Sequence, residues 1–376
     1  MKRVLVILLT AVFLLAMYVP VSAADWDLYG SARITTFWTD ESSERGDDTQ
    51  LDHSLQANSR VGAHVQSGLI GGRFEYGTGG SNANIRLLYA TYDLGPGQIL
   101  VGQTYTPYGL GSFISNQVYD SDTNMLQFIG YNGRRPMVQY SLGNFSIALV
   151  QPVTPNFYPN PGETTRTITV IDDDGIPQAI EITEALTGNI DGNPEVILPQ
   201  LAARYSLPAL ADGISMDISG VIQSYELQAI DDERLTAWGV TANVGFTMMD
   251  PFYVGLGGFY GQNVAHFGQF SGLVNNAAVV VNGDTIEDTD TYGALLVLGT
   301  NIGTIGLQAG AGYVRSSNDE WAEDDEAMAY YLQARIPVIG SATITPEIGY
   351  YDFKDDQTGA DAGDDFYVGL QWRVDF

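Results

Sequence analysis

Residues 366–376 read Phe366-Tyr367-Val368-Gly369-Leu370-Gln371-Trp372-Arg373-Val374-Asp375-Phe376. Every second position is large and apolar, and the interleaved positions hold the polar and charged groups. A period of two is the signature of a strand with two unlike faces. Here the stretch runs to the carboxyl end, closes on Phe376 and carries its charges on one face only. Working outward, Leu28, Gly30, Ala32 and Ile34 alternate with Tyr29, Ser31, Arg33 and Thr35. Val61, Ala63 and Val65 alternate with Arg60, His64 and Gln66, and the pattern returns over 238–246 and 305–311.

Such segments number about sixteen, each near the length that crosses a bilayer when tilted. They are expected near 25–39, 57–68, 70–77, 84–95, 98–105, 134–142, 144–152 and 198–207, then 213–226, 234–249, 251–266, 291–302, 304–315, 327–337, 341–352 and 365–376. The connections alternate as well. Tight turns fall at Leu69, at Gly95-Pro96-Gly97, at Gly143, at Met249-Asp250-Pro251, at Gly303-Thr304 and over 337–340. Long polar stretches fall at 40–56, 106–133, 153–197, 267–290, 316–326 and 353–364. Short turns on one rim and long loops on the other are what an outer-membrane barrel shows, whereas a soluble sandwich has no reason to sort them. The expected fold is therefore all-β: a transmembrane antiparallel up-and-down barrel over 24–376, with short periplasmic turns and long extracellular loops. The 153–197 insertion contains Thr167–Ile171, a turn at Asp172–Gly175 and Ala179–Ile182. These read as an extracellular hairpin; an 18-strand barrel is the alternative.

Composition agrees with this fold. Charged residues are 16% of the 376 positions and apolar ones 45%, which excludes disorder. The chain has no cysteine, so thiolate metal sites and disulfides are excluded. A formal charge of −29 argues against a nucleic-acid partner. Met1-Lys2-Arg3, an apolar run over 4–19 and Val21-Ser22-Ala23 read as a secretory signal, 1–23, cleaved after Ala23.

Of 45 acidic residues, 35 fall on the long-loop rim, when 231–233 is counted with the long stretches and the last of these is taken as 352–365. They read as a solvated, self-repelling surface. Alternatively they hold Ca²⁺ or Mg²⁺ that bridges to lipopolysaccharide; otherwise no cofactor is expected. Beyond the signal there is one lysine, Lys354, and thirteen arginines. Arg33, Arg60, Arg73, Arg86, Arg135, Arg204, Arg335 and Arg373 lie on the polar parity of a strand. An arginine on the lipid face near the midplane costs about 2–4 kcal/mol, so these side chains should enter the lumen. Arg60, Arg73 and Arg86, on consecutive strands, would form a ladder that attracts anionic or dipolar solutes. The competing reading pairs each of them structurally with a carboxylate such as Glu75.

With Leu28-Tyr29-Gly30, the terminal strand ending at Phe376 and arginines on strands two to four, the chain resembles Gram-negative general diffusion porins. Val101-Gly102-Gln103-Thr104-Tyr105-Thr106-Pro107 resembles the end of the fifth porin strand, after which a loop folds inward. Here that constriction loop would be 106–133, with Asp120 and Asp122 as acidic partners facing pore-lining Arg33, Arg60, Arg73, Arg86 and Arg135. Arg134–Ser141 followed by Asn144-Phe145-Ser146 resembles strands six and seven of dicarboxylate-preferring porins. The loop lacks the Pro-Glu-Phe-type motif of the enterobacterial members. The resemblance implies a homotrimer in the outer membrane that contacts lipopolysaccharide, assembly guided by Phe376 through the barrel assembly machinery, and passive diffusion of small hydrophilic solutes.

His53, His64 and His266 come with no nucleophile motif, and no enzyme activity is expected. Gly255-Leu256-Gly257-Gly258 lies inside a strand and opens no helix, so it fails as a nucleotide loop. The leading expectation is a passive channel. The alternatives are a substrate-specific porin for anions such as dicarboxylates or phosphate, and a surface scaffold or adhesin.

Overall fold

The computed structural model describes residues 24–46, 48–79, 82–109, 115–121, 123–154, 193–249, 251–269, 278–282 and 285–376, and the backbone of short strands between 157 and 191. The first eight staves of the barrel are β1 (Asp25–Glu41), β2 in two parts (Thr49–Leu55 and Arg60–Ser67), β3 (Ile70–Gly79), β4 (Asn82–Asp93), β5 (Gln98–Tyr105), β6 (Arg134–Leu142), β7 (Phe145–Val150) and β8 (Gln200–Ala211). The second eight are β9 (Ile214–Leu227), β10 (Glu233–Met249), β11 (Phe252–Gln262), β12 (Asp290–Ile302), β13 (Ile305–Ser317), β14 (Asp325–Ile339), β15 (Ala342–Asp352) and β16 (Asp364–Asp375). Each pairs antiparallel with the next, and β16 returns to β1 from Ser31↔Asp375 to Glu41↔Asp365. The result is a closed 16-strand barrel. Closure satisfies the backbone within the wall, which hydrocarbon could not do.

The usual core is inverted. On β16, Trp372 and Val374 are about half exposed, whereas the alternate Tyr367 and Gln371 are buried. Thr35, Gln223, Thr241, Asn243, Gln333 and Thr345 are likewise buried, so polar groups point inward and apolar ones outward. Leu256 sits mid-strand on β11 and is 50% exposed. Leu256→Arg is expected to destabilise the barrel by about 2–4 kcal/mol in denaturant titrations from lipid vesicles, and Thr345→Arg, on the inner face, by much less.

Gly143 (φ 56) and Gly303 (φ 62) stand where two-residue turns need a left-handed backbone, and they join Leu142↔Phe145 and Ile302↔Ile305. At the seam, Gly30 N–H donates to the Phe376 carbonyl (2.7 Å) and Phe376 N–H donates to the Gly30 carbonyl (3.0 Å). A Cβ at position 30 would fall 2.3 Å from the Phe376 ring, so any larger residue there would have to displace that ring.

Each expected segment is a strand, with ends moved by a few residues. The large departure is 40–56, expected as a loop. Instead β1 runs on to Glu41 and Thr49–Leu55 pairs back along it, from Asp40↔Thr49 to Ile34↔Leu55. Leu51, His53 and Leu55 alternate with Gln50, Asp52 and Ser54, a period of two that the hairpin's acidic residues mask. In the 153–197 insertion, among the described residues, Glu163–Ile171 pairs only with Pro177–Ala185, and Phe157–Asn160 only with Gly188–Asp191. They form small sheets of their own, so the count is sixteen and not eighteen. The signal segment 1–23 and Asp122 lie outside the described residues.

Candidate functional site

The described parts of the connection 106–133 enter the barrel and lie along its inner wall. Its root is fixed on β9 and β10: the Ser219 hydroxyl accepts Gly109 N–H (3.0 Å), and Asn243 donates to the Gly109 carbonyl (3.1 Å). Tyr108 is buried and donates to Gln269 (2.8 Å). The next described stretch, 115–121, crosses β13 to β16. Asn116 N–H donates to Gln308 (3.0 Å), and Gln333 donates to the Asn116 carbonyl (2.9 Å). Gln117 donates to the hydroxyls of Tyr351 and Tyr367, both at 2.7 Å. Glu347, on β15 and 3% exposed, accepts Val118 N–H (2.8 Å) with one carboxylate oxygen and Tyr119 N–H (3.0 Å) with the other. Tyr119 stacks on Tyr367 with centroids 4.0 Å apart. Irregular backbone is acceptable at this depth because it lines a cavity rather than lipid.

Asp120 follows. Its carboxylate accepts the N–H groups of Thr123 (3.2 Å) and Asn124 (3.0 Å) at the first turn of a short helix, α1 (Thr123–Gln127), and the Tyr351 hydroxyl at 3.3 Å. Burial raises its pKa to about 6, against the lowering effect of those hydrogen bonds.

The space left beside this segment has a volume of about 910 Å³. Arg33, Arg60, Arg86 and Arg373 border it from β1, β2, β4 and β16, with Arg134, Arg204 and Arg335 on β6, β8 and β14. Asp120 is the one carboxylate among the described residues on that surface. Arg33 and Arg373 are direct cross-strand partners. Nη1 of Arg134 and both Nε and Nη2 of Arg204 are buried donors without a protein acceptor among the described residues.

Of the arginines expected from parity, Arg33, Arg60 and Arg86 border the cavity, as does Asp120 of the inward loop, while Arg73 and Arg135 do not. Arg73 is drawn to the wall. Its Nε donates to the Tyr29 hydroxyl (2.9 Å), and its guanidinium lies 5.1 Å from that ring's centroid. Arg135 donates to the Asn132 carbonyl (2.9 Å) and packs against Gly268, where turns fill the barrel. Its neighbour Arg134 reaches the cavity instead, over the Tyr105 ring.

Glu75 lies among Arg60, Arg73 and Arg86. It is 1% exposed and accepts Arg86 Nε (2.7 Å), the Tyr29 hydroxyl (2.7 Å) and Arg73 Nη2 (3.1 Å), with Arg60 Nη1 at 3.7 Å. One carboxylate among three guanidiniums leaves a positive surplus. Glu347, Gln117 and Arg134 were not singled out from the sequence. For Glu347 a signal existed: a carboxylate on the inner parity of a strand.

The histidines lie apart. His53 contacts Thr36 on the upper part of β2, His64 packs on Tyr29, and His266 is buried between Tyr225 and Val279 N–H. Among the described residues no group of three or more His, Asp or Glu side chains is placed to hold a metal ion.

No protein-family model matches the sequence, and no curated protein matches it. Solved structures do match in fold. The outer-membrane channel DcaP of Acinetobacter baumannii aligns at 19% identity and TM-score 0.68, covering 94% of this chain and 97% of that one. The anion-selective porin of Comamonas acidovorans aligns at 11% identity and TM-score 0.58, covering 94% and 100%. OmpT of Vibrio cholerae, an outer-membrane protein in its trimer form, aligns at 13% identity and TM-score 0.54, covering 94% and 100%. The chain shares the barrel fold of these outer-membrane proteins.

Proposed function

We propose that the barrel is a water-filled channel across a bacterial outer membrane, passing small hydrophilic solutes by passive diffusion and favouring anions. The carrying observation is the cavity surface, with seven arginines and one carboxylate among the described residues. Charges lining a narrow water path are the usual means of ion selection. The Comamonas neighbour is described as anion-selective, which supports the same reading here. Single-channel recording in planar bilayers across a KCl gradient tests it, with a reversal potential of anion-selective sign expected. Cation selectivity, or no current from folded protein, would reject it.

A homotrimer is proposed alongside, by analogy with the trimer form of Vibrio OmpT. A mass of three chains in light scattering, after correction for detergent, is the expected result.

Selectivity should also respond to acid. Burial pushes the Asp120 carboxyl up from 3.8 to about 6, so its protonated fraction grows as pH falls from 7 to 5. Acidification removes the one negative charge that the described residues place on the surface, and the anion-to-cation permeability ratio should rise as pH falls from 7 to 5. Asp120→Asn should hold the ratio at its acidic value throughout. A ratio that falls on acidification would sink this assignment.

A further inference from the structure

The upper part of β2, Thr49–Leu55, pairs with β1 on one side, and among the described residues no strand pairs with its other side. Strand β3 ends at Gly79, and its highest bonds to β2 are Thr78 N–H to the Ser59 carbonyl and the Thr78 hydroxyl to the Gln56 carbonyl. Above that level β2 has only β1 beside it among the described residues, and all seven residues of Thr49–Leu55 are exposed.

The free backbone groups follow from the ladder. Gln56 N–H donates to the Arg33 carbonyl and Glu41 N–H to the Asp48 carbonyl. Antiparallel pairs alternate, so residues 48, 50, 52, 54 and 56 turn their backbone groups toward β1. Thr49, Leu51, His53 and Leu55 turn theirs outward. An unpaired edge of this kind is a template for another strand, and proteins normally cover or blunt it.

Side chains say which strand would fit. Leu51 and Leu55 share the outer face with their exposed cross-strand partners Trp38 and Ile34. Gln50, Asp52 and Ser54 make a polar row on the other face. The hairpin also carries Asp40, Glu41, Glu44 and Asp48. Its one arginine, Arg45, is engaged elsewhere, 2.7 Å from Asp365 and over the Phe353 ring. Two copies joined edge to edge would press two acidic hairpins together, which opposes self-pairing.

We propose that Thr49–Leu55 is a docking edge for an extended cationic peptide, which adds as a further strand. The backbone groups of Thr49, Leu51, His53 and Leu55 supply the ladder. Alternating basic side chains lie along the Asp48 and Asp52 row, and apolar ones lie over Leu51 and Leu55. This is β-augmentation, with affinity from main-chain bonds and specificity from the alternating rows.

The test uses the full folded protein in detergent and a labelled nine-residue peptide of alternating Arg and Val. Saturable binding is expected, with amide exchange at Leu51 and His53 fast before the peptide is added and slowed after. The same peptide N-methylated at alternate amides keeps every charge but cannot build a ladder, and it should bind at least roughly tenfold more weakly. Leu51→Pro removes an outward N–H without breaking a bond to β1, a change edge strands tolerate. It should weaken binding similarly and leave conductance unchanged. No binding, or equal binding of the two peptides, overturns the proposal, the latter leaving only surface charge attraction. Slow exchange at Leu51 and His53 before peptide is added, with oligomers that dissociate on Leu51→Pro, also overturns it by showing the edge covered by a second copy.

Discussion

Glu347→Ala is expected to convert a steady open current into one broken by frequent partial closures. The Glu347 carboxylate holds two successive backbone N–H groups, of Val118 and Tyr119, against β15. Removing it leaves two half-buried donors without their protein acceptor, at up to about 1–3 kcal/mol each. A loss of about 2–6 kcal/mol is enough to turn a rarely detached segment into one detached for much of the time. Gln117 and Asn116 would still tether the segment at Tyr351, Tyr367, Gln308 and Gln333. The segment should therefore move within the lumen rather than leave it. Glu347→Gln keeps one acceptor oxygen but turns an amide group toward the second N–H, so it should be intermediate. The observable is the variance of open-channel current at fixed voltage, with barrel stability followed in parallel. Unchanged variance in both variants would mean that the segment is held without this clamp.

The contrast between Glu347 and the arginines shows what could be read from the chain alone. Alternation is local, so the strands, their order and the inward direction of Arg33, Arg60 and Arg86 were legible from parity. The clamp joins residues 228 and 229 positions apart, and no local pattern reports such a contact. Arg73 and Arg135 obey parity yet miss the cavity, because parity gives a direction and not a neighbour. Tyr29 captures the first, and the Asn132 carbonyl captures the second. Asp120 was legible as an acid of the inward loop, and it does reach the cavity surface. Its bonds to Thr123 and Asn124 were hidden, since α1 spans only Thr123–Gln127 and leaves no periodic trace. The hairpin at Thr49–Leu55 was missed for a different reason: acidic composition was read as a loop while the alternation beneath it persisted.

Replacing Arg33 and Arg373 together is expected to cost the channel most of the anion preference proposed for it. The two face each other directly across β1 and β16, and like charges in that position destabilise a sheet by roughly 0.2–1 kcal/mol. Partial relief exists, since Arg373 binds Asp375 (2.9 Å) and Arg33 donates to the Ser31 hydroxyl (2.9 Å). Neither removes the positive surplus, which also includes Arg60 and Arg86. At a path roughly 5 Å away in a water-like dielectric, one guanidinium favours an anion by about 0.8 kcal/mol. Two together are worth about 1.7 kcal/mol, a factor of roughly ten or more in anion occupancy before screening. Arg33→Gln with Arg373→Gln should thus lower the anion-to-cation permeability ratio by more than about tenfold in dilute salt, because the same charges repel cations as much as they attract anions. The effect should shrink toward nothing at 1 M, where screening acts over about 3 Å. The same pair of substitutions should leave stability unchanged or raise it slightly, because a repulsion is removed. That combination separates a charge kept for permeation from one kept for folding. A barrel that unfolds more readily with its selectivity intact would assign the arginines to the wall rather than to the pore.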